Sequence, residues 1–111
     1  MVKQGDIIRL DFDPQAGHEQ SGRGPAIVVS NGKFNQFTRC KQVMVCPITR
    51  TDKSIPFHVR LDDRTKTSGV ILSDQPRTLD IEAGGYEFIE EAPHDIVCEL
   101  ADILAGFVEI S

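Results

Sequence analysis

Only one stretch of this chain carries a helical repeat long enough to form a sizeable helix. Everything before it is broken into short apolar runs that end in turn residues. In "APHDIVCELADILAGFVEI", Ile96, Val97, Leu100, Ile103, Leu104 and Phe107 fall at helical spacing, with Pro93 near the first turn and Gly106 at the end. Asp95, Glu99 and Asp102 occupy the other face. Upstream, "GDIIRLDFDP" alternates Ile8, Leu10 and Phe12 with Arg9 and Asp11, the period of a half-buried strand. "PAIVVS" is continuous and β-branched, as in a central strand buried on both faces. "QVMVCPIT", "FHVRL" and "TSGVILSD" read as further strands, "QPRTLD" continues the sheet after Pro76, and "NGKFNQFTRC" has room for one helical turn. Five or six short strands and one main helix predict a mainly β fold with added helices, a small curled sheet or barrel closed by an amphipathic C-terminal helix. At 111 residues, a single domain spanning 1–111 is expected.

No apolar run approaches the roughly 18–20 residues of a membrane span, and "MVKQGDIIRL" lacks the apolar stretch of a signal peptide. Cys40, Cys46 and Cys98 form neither a C-x-x-C pair nor a zinc pattern, so reduced, buried structural thiols in a cytoplasmic protein are expected. The net charge of −5 conceals an asymmetry: residues 1–60 carry nine Lys/Arg against five Asp/Glu, and residues 61–111 carry three against twelve. Such a distribution permits a positive binding face opposite a solvated negative one.

Three polar clusters stand at strand ends. "GHEQSGRGPAIVVS" packs His18, Glu19, Gln20 and Arg23 into a glycine-loosened loop; "CPITRTDKSIPF" holds Thr49, Arg50, Thr51 and Lys53; "SDQPRT" holds Asp74, Gln75 and Arg77. There is no metal-ligand spacing, glycine-rich nucleotide fingerprint, G-x-S-x-G elbow or H-E-x-x-H. The inventory suits proton transfer and stabilisation of an anionic transition state, as in metal-free cleavage of a phosphodiester. RNA brings its own nucleophile, the 2′-hydroxyl, leaving an enzyme to align it and move protons. Each residue also has a plainer role: His18, Glu19 and Gln20 in tying down a loop, Thr49 in a strand, Lys53 as a solvated charge, Asp74 in a turn.

Taken in order, "GDIIRLDFDPQAGHEQSGRGPAIVVS", "VCPITRTDKSIPF" and "GVILSDQPRTLD" resemble the three signature blocks of the MazF/PemK/Kid toxins of bacterial toxin–antitoxin modules, closest to the PemK/Kid and ChpB-like branch. The resemblance covers nearly the whole chain. It implies an SH3-like small barrel that forms a homodimer, and a sequence-specific, ribosome-independent endoribonuclease (an mRNA interferase) that cuts single-stranded RNA without metal or cofactor. It also implies a cognate antitoxin whose acidic, partly disordered tail blocks the RNA groove, with operator DNA bound only through that antitoxin. Glu19 and Gln20 match the loop pair lining the groove, Thr49 the threonine against the scissile phosphate, and Lys53 a cation near the substrate. His18 and Asp74 match a catalytic histidine and aspartate of the Kid branch. Arg50, Gln75 and Arg77 are further candidates for RNA contact.

One position departs from the pattern. The family carries an arginine immediately before the proline of R-P-[AV], and that guanidinium is thought to stabilise the phosphorane. Here the position is Gly24, with Arg23 one residue earlier. Adjacent side chains in an extended segment point to opposite faces, so Arg23 does not inherit the site by default. The expectation is a chain that folds, dimerises and binds RNA but cuts slowly. A gyrase-poisoning toxin of the same fold and a non-catalytic RNA-binding regulator are the alternatives.

Overall fold

The computed structural model describes residues 1–12 and 22–111. Among them, seven strands and three helices follow in the order β1 (Asp6–Phe12), β2 (Gly22–Val28), α1 (Gly32–Phe37), β3 (Gln42–Thr49), β4 (Val59–Arg60), β5 (Val70–Ile71), β6 (Arg77–Asp80), α2 (Ile81–Gly84), β7 (Tyr86–Glu91) and α3 (His94–Phe107). The strands form one antiparallel sheet in the order β4-β5-β3-β2-β1-β7, with β6 also pairing with β3. The mainly β architecture with a closing C-terminal helix is thus as the sequence predicted.

Alternation along the central strands builds a core on each face of the sheet. Ile8, Leu10, Phe12, Ala26, Val28, Val43 and Val45 pack together on one side, capped by Ile81 of α2. Ile7, Ile27, Cys46, Ile48, Val59 and Ile71 pack on the other, against Ile96 and Leu100 of α3. Ala26, Ile27 and Val28 have no exposed surface, which is why "PAIVVS" reads as a continuous apolar run. Helix α3 enters through Pro93, and Arg64 ties its first turn down by pairing with Asp95 at 2.8 Å and with Asp62 at 2.8 Å.

Two elements lie outside the sequence expectation. β7 pairs with β1 along Asp6–Leu10, yet "YEFIEE" leaves Tyr86 and Phe88 exposed and has little apolar density to signal a strand. The four-residue α2 begins at Asp80, whose Oδ1 accepts from the N–H groups of Glu82 and Ala83. The helix end also differs from expectation, since α3 runs through Gly106 to Phe107. Of the three thiols expected to be buried, only Cys46 is. Cys40 is half-buried and Cys98 is exposed on α3, within 3.3 Å of the His94 imidazole.

Candidate RNA-cleavage site

Two prolines decide where the sheet opens. β2 and β3 pair through Ala26–Pro47, Ile27–Cys46 and Val28–Val45, and the Val29 N–H donates to the Met44 carbonyl at 2.8 Å. Rungs of an antiparallel ladder recur at every second residue, so the one beyond Ile27 falls on Pro25, which has no N–H to give. On its other edge, β3 changes partner at Pro47, from β6 (through Val45–Arg77) to β5 (from Ile48–Ile71). Past these residues β2 and β3 part, and a cleft of about 420 Å³ lies between them. Arg9, Arg23, Gly24 and Pro25 line one side of it, and Ile48, Thr49 and Arg50 line the other. Lys66, Thr67, Ser68 and Ile89 complete its walls.

Gly24 and Thr49 line the cleft from its two sides. Gly24 is itself opposite Leu10, whereas Arg23 is opposite Asp11 and Pro25 opposite Arg9. Opposed residues share a face, so Arg23 and Arg9 project on one face of β1–β2 and the α-carbon of Gly24 is directed to the other. The alternation expected from the sequence holds, and Arg23 borders the cleft without taking the position of Gly24. Among the described residues, both arginines are held by long ion pairs, Arg23 with Asp11 at 3.8 Å and Arg9 with Glu87 at 3.9 Å.

The far wall is fixed by carboxylates. Glu90 accepts from the Lys66 and Thr67 N–H groups at 3.0 and 2.8 Å and from the Thr67 hydroxyl at 2.8 Å. Desolvation alone would raise the Glu90 pKa; these hydrogen bonds outweigh it and hold the carboxyl below the usual range. Asp52 does the same for the loop after β3, accepting from Ser54 N–H at 2.8 Å and from Arg60 Nε at 2.7 Å. The Ser54 bond first, then the Arg60 bond, lower its pKa. Thr49 is half-buried, and its Oγ1 accepts from the Thr51 N–H at 3.2 Å. Arg50 and Lys53 are exposed.

The remaining candidates are spread along β3. Asp74 and Gln75 occupy the turn after β5, anchored where Leu72 N–H donates to the Pro47 carbonyl. That places them on the order of 10 Å along β3 from Thr49, at about 3.3 Å per residue. Asp74 is 41% exposed in its side chain and accepts from, or shares a proton with, His58 Nε2 at 2.8 Å. Burial first, and then the Asp74 charge, push the Cys46 thiol up to about 12, so that thiol is inert. Arg77 lies over the Phe12 ring at 5.0 Å with both terminal nitrogens buried and unbonded. His18, Glu19 and Gln20 lie outside the described residues. Phe37, at the end of α1, is 87% exposed.

The structure therefore gathers Arg23, Gly24, Thr49 and Arg50 around one opening. It adds Arg9, Lys66, Thr67 and Ser68, which sequence reasoning missed because they sit in a strand and a turn with no distinctive spacing. Among the described residues, no three His, Cys, Asp or Glu side chains are grouped to hold a metal ion. No helix in them is long and apolar enough to cross a membrane.

A small antiparallel sheet closed by one helix, with a cationic opening at a proline-ended ladder, is the frame of a PemK-like, MazF-like toxin of type II toxin–antitoxin systems. That family model matches residues 3–108, and the chain belongs to the family. It is 37% identical to Endoribonuclease PemK of Escherichia coli over 103 residues, covering 89% of this chain and 76% of that protein. It is 36% identical to Endoribonuclease toxin ChpB of Escherichia coli K12, covering 96% and 94%. Among solved structures, a MazE–MazF crystal structure from Deinococcus radiodurans superposes with a TM-score of 0.83 at 38% identity, covering 99% of this chain and 97% of that one.

Proposed function

We propose that this chain is the endoribonuclease toxin of a toxin–antitoxin module, cutting single-stranded RNA at the cleft between β2 and β3, and that Gly24 slows it. The observation that carries the reading is that Gly24 and Thr49 line one opening together with Arg9, Arg23, Arg50 and Lys66. Four cations around one cavity suit a phosphodiester backbone, whose negative charge dominates the affinity of nucleic-acid binding. The Thr49 hydroxyl, on the wall of that opening, is the candidate donor to a phosphate oxygen.

In the reaction, the RNA's 2′-oxygen attacks phosphorus as its proton leaves to a base. The 5′-oxygen departs with a proton from an acid, leaving a 2′,3′-cyclic phosphate. The scissile phosphate would lie between Thr49 and Asp74, and Asp74, with His18 and Glu19, supplies the candidate proton-transfer groups. A guanidinium at position 24 would neutralise the charge that builds on the phosphorane. Losing one such group costs about 10²–10³ in rate in other enzymes. The same reading makes the chain a cytoplasmic homodimer held in check by a cognate antitoxin, as suits the likeness to a MazE–MazF structure. An acidic antitoxin segment would compete for the same cations.

The test is cleavage of one long, unstructured RNA by this chain and by its Gly24→Arg form, with the ends mapped. The arginine form is expected to cut at the same short word, about 10²–10³-fold faster. Equal rates would refute the role of Gly24. If both proteins bind RNA and neither cuts, the chain is an RNA-binding regulator.

A further inference from the structure

The turn that carries Asp74 is held from behind by a buried histidine. His58 stands just before β4, in "IPFHVRL", and its side chain is only 3% exposed. Its Nε2 lies 2.8 Å from Asp74 Oδ1. Its other ring nitrogen, Nδ1, is buried with no hydrogen-bond partner among the described residues. An unbonded buried N–H is costlier than an unbonded lone pair on one of two ring nitrogens facing a carboxylate, so the ring carries its proton on Nε2 and donates it to Asp74.

The surroundings keep that ring from turning. Phe57 packs edge-on against His58 at 5.3 Å, and Phe107 of α3 packs edge-on against Phe57 at the same distance. The Ser73 hydroxyl donates to the Phe57 carbonyl at 2.5 Å, tying the residue before Asp74 to the residue before His58. The His58 N–H donates to the Ile55 carbonyl at 3.1 Å. Asp74 is the outward member of the pair, and among the described residues nothing donates to its second oxygen.

We infer that His58 is a positioning residue for Asp74. It immobilises one carboxylate oxygen from the protein interior, so that the other is presented to the 2′-hydroxyl or to the leaving oxygen of bound RNA. This rests on the reading of the chain as a ribonuclease. It adds a residue that touches neither RNA nor the cleft. Orientation is a large part of proton-transfer efficiency, and misplacement by about 1 Å costs up to roughly 10²-fold. The role is therefore expected in the rate of the chemical step and not in RNA affinity.

The experiment compares the chain with His58→Phe, His58→Gln and Asp74→Asn under single turnover, each in the native and the Gly24→Arg background. His58→Phe keeps the ring volume and removes the donor; His58→Gln returns an amide N–H near the position of Nε2. The cleavage rate should fall about 10–100-fold in His58→Phe with RNA affinity unchanged, and His58→Gln should recover most of it. In the Asp74→Asn background, His58→Phe should have little further effect. Imidazole ¹⁵N spectra of the unmutated chain should show His58 protonated on Nε2 and its resonance displaced by Asp74→Asn, a readout that does not need His58→Phe to fold. Equal losses in His58→Phe and His58→Gln, a loss confined to affinity, or a proton on Nδ1 would each overturn the assignment. If Gly24→Arg cuts and Asp74→Asn cuts as fast, this inference alone falls. If no form cuts RNA, the ribonuclease reading falls and takes this one with it.

Discussion

Replacing Gly69 by alanine tests whether the far wall of the cleft is as closely fitted as the structure shows. Gly69 has φ +121°, a backbone conformation that L side chains rarely adopt, and a Cβ built there would lie 2.2 Å from the Thr49 carbonyl oxygen and 2.8 Å from its carbon. Both neighbours are backbone atoms of β3, and neither can yield without disturbing the Thr49–Val70 pairing. The Gly69 carbonyl also accepts from the Leu61 N–H at 2.9 Å, so the turn cannot simply swing away. Forcing a non-glycine residue into such a conformation costs about 1–3 kcal/mol, and relieving the overlap about 1–3 kcal/mol more. Gly69→Ala should therefore lose about 2–6 kcal/mol in urea unfolding at fixed protein concentration, against a total of roughly 5–15 kcal/mol for a domain. At about 4 °C per kcal/mol for a domain of this size, its melting temperature should fall by roughly 8–24 °C. Gly84→Ala is the control: it sits at the end of α2 with nothing within 4 Å of its Cβ, and should change stability by less than about 1 kcal/mol. A Gly69→Ala protein within about 1 kcal/mol of the unmutated chain would refute the close approach to Thr49.

Three further outcomes are expected. Arg77→Met removes a guanidinium whose terminal nitrogens are buried with no hydrogen bond among the described residues, so stability in urea unfolding should hold or rise. A loss of more than about 2 kcal/mol in stability would contradict that account of its environment. Glu90→Gln should be destabilised near neutral pH, and the difference should vanish as pH falls below the ordinary carboxyl range. The folded-state pKa of Glu90 is depressed, so its stabilisation is present above the unfolded pKa and lost as acid protonates it; a gap independent of pH in denaturant titrations would refute this. Arg64→Ala should lose little stability, and the loss should shrink in high salt, because its pairs with Asp62 and Asp95 are solvent-exposed; a large loss unchanged by salt in urea unfolding would refute this.

The elements written most plainly in the chain are those set by local periodicity. Ile8, Leu10 and Phe12 alternate because β1 buries one face in the same core as Val28 and Val45, and the Ile96–Phe107 spacing marks the stripe that α3 lays over Ile7 and Ile27. The glycine before Pro25 was also legible as a departure from the pattern the chain resembles, because it falls inside a recognisable block. β7 was not, since an edge strand needs only one partner and "YEFIEE" buries little.

What the sequence by itself determined, then, was the mainly β fold, its closing helix, its family, and the polar residues from which a ribonuclease site would be built. Only the tertiary structure decided which of them meet. Pro25 is visible in the sequence, but that it interrupts a rung and opens a cleft depends on the β2–β3 register. The cleft joins residues 9, 23, 49 and 66 from different strands and a turn, and His58 reaches Asp74 across 16 positions of chain. The physical reason is one of range. Backbone propensity and side-chain alternation act over a few residues, whereas pairing register and packing set distances between residues that no local pattern connects.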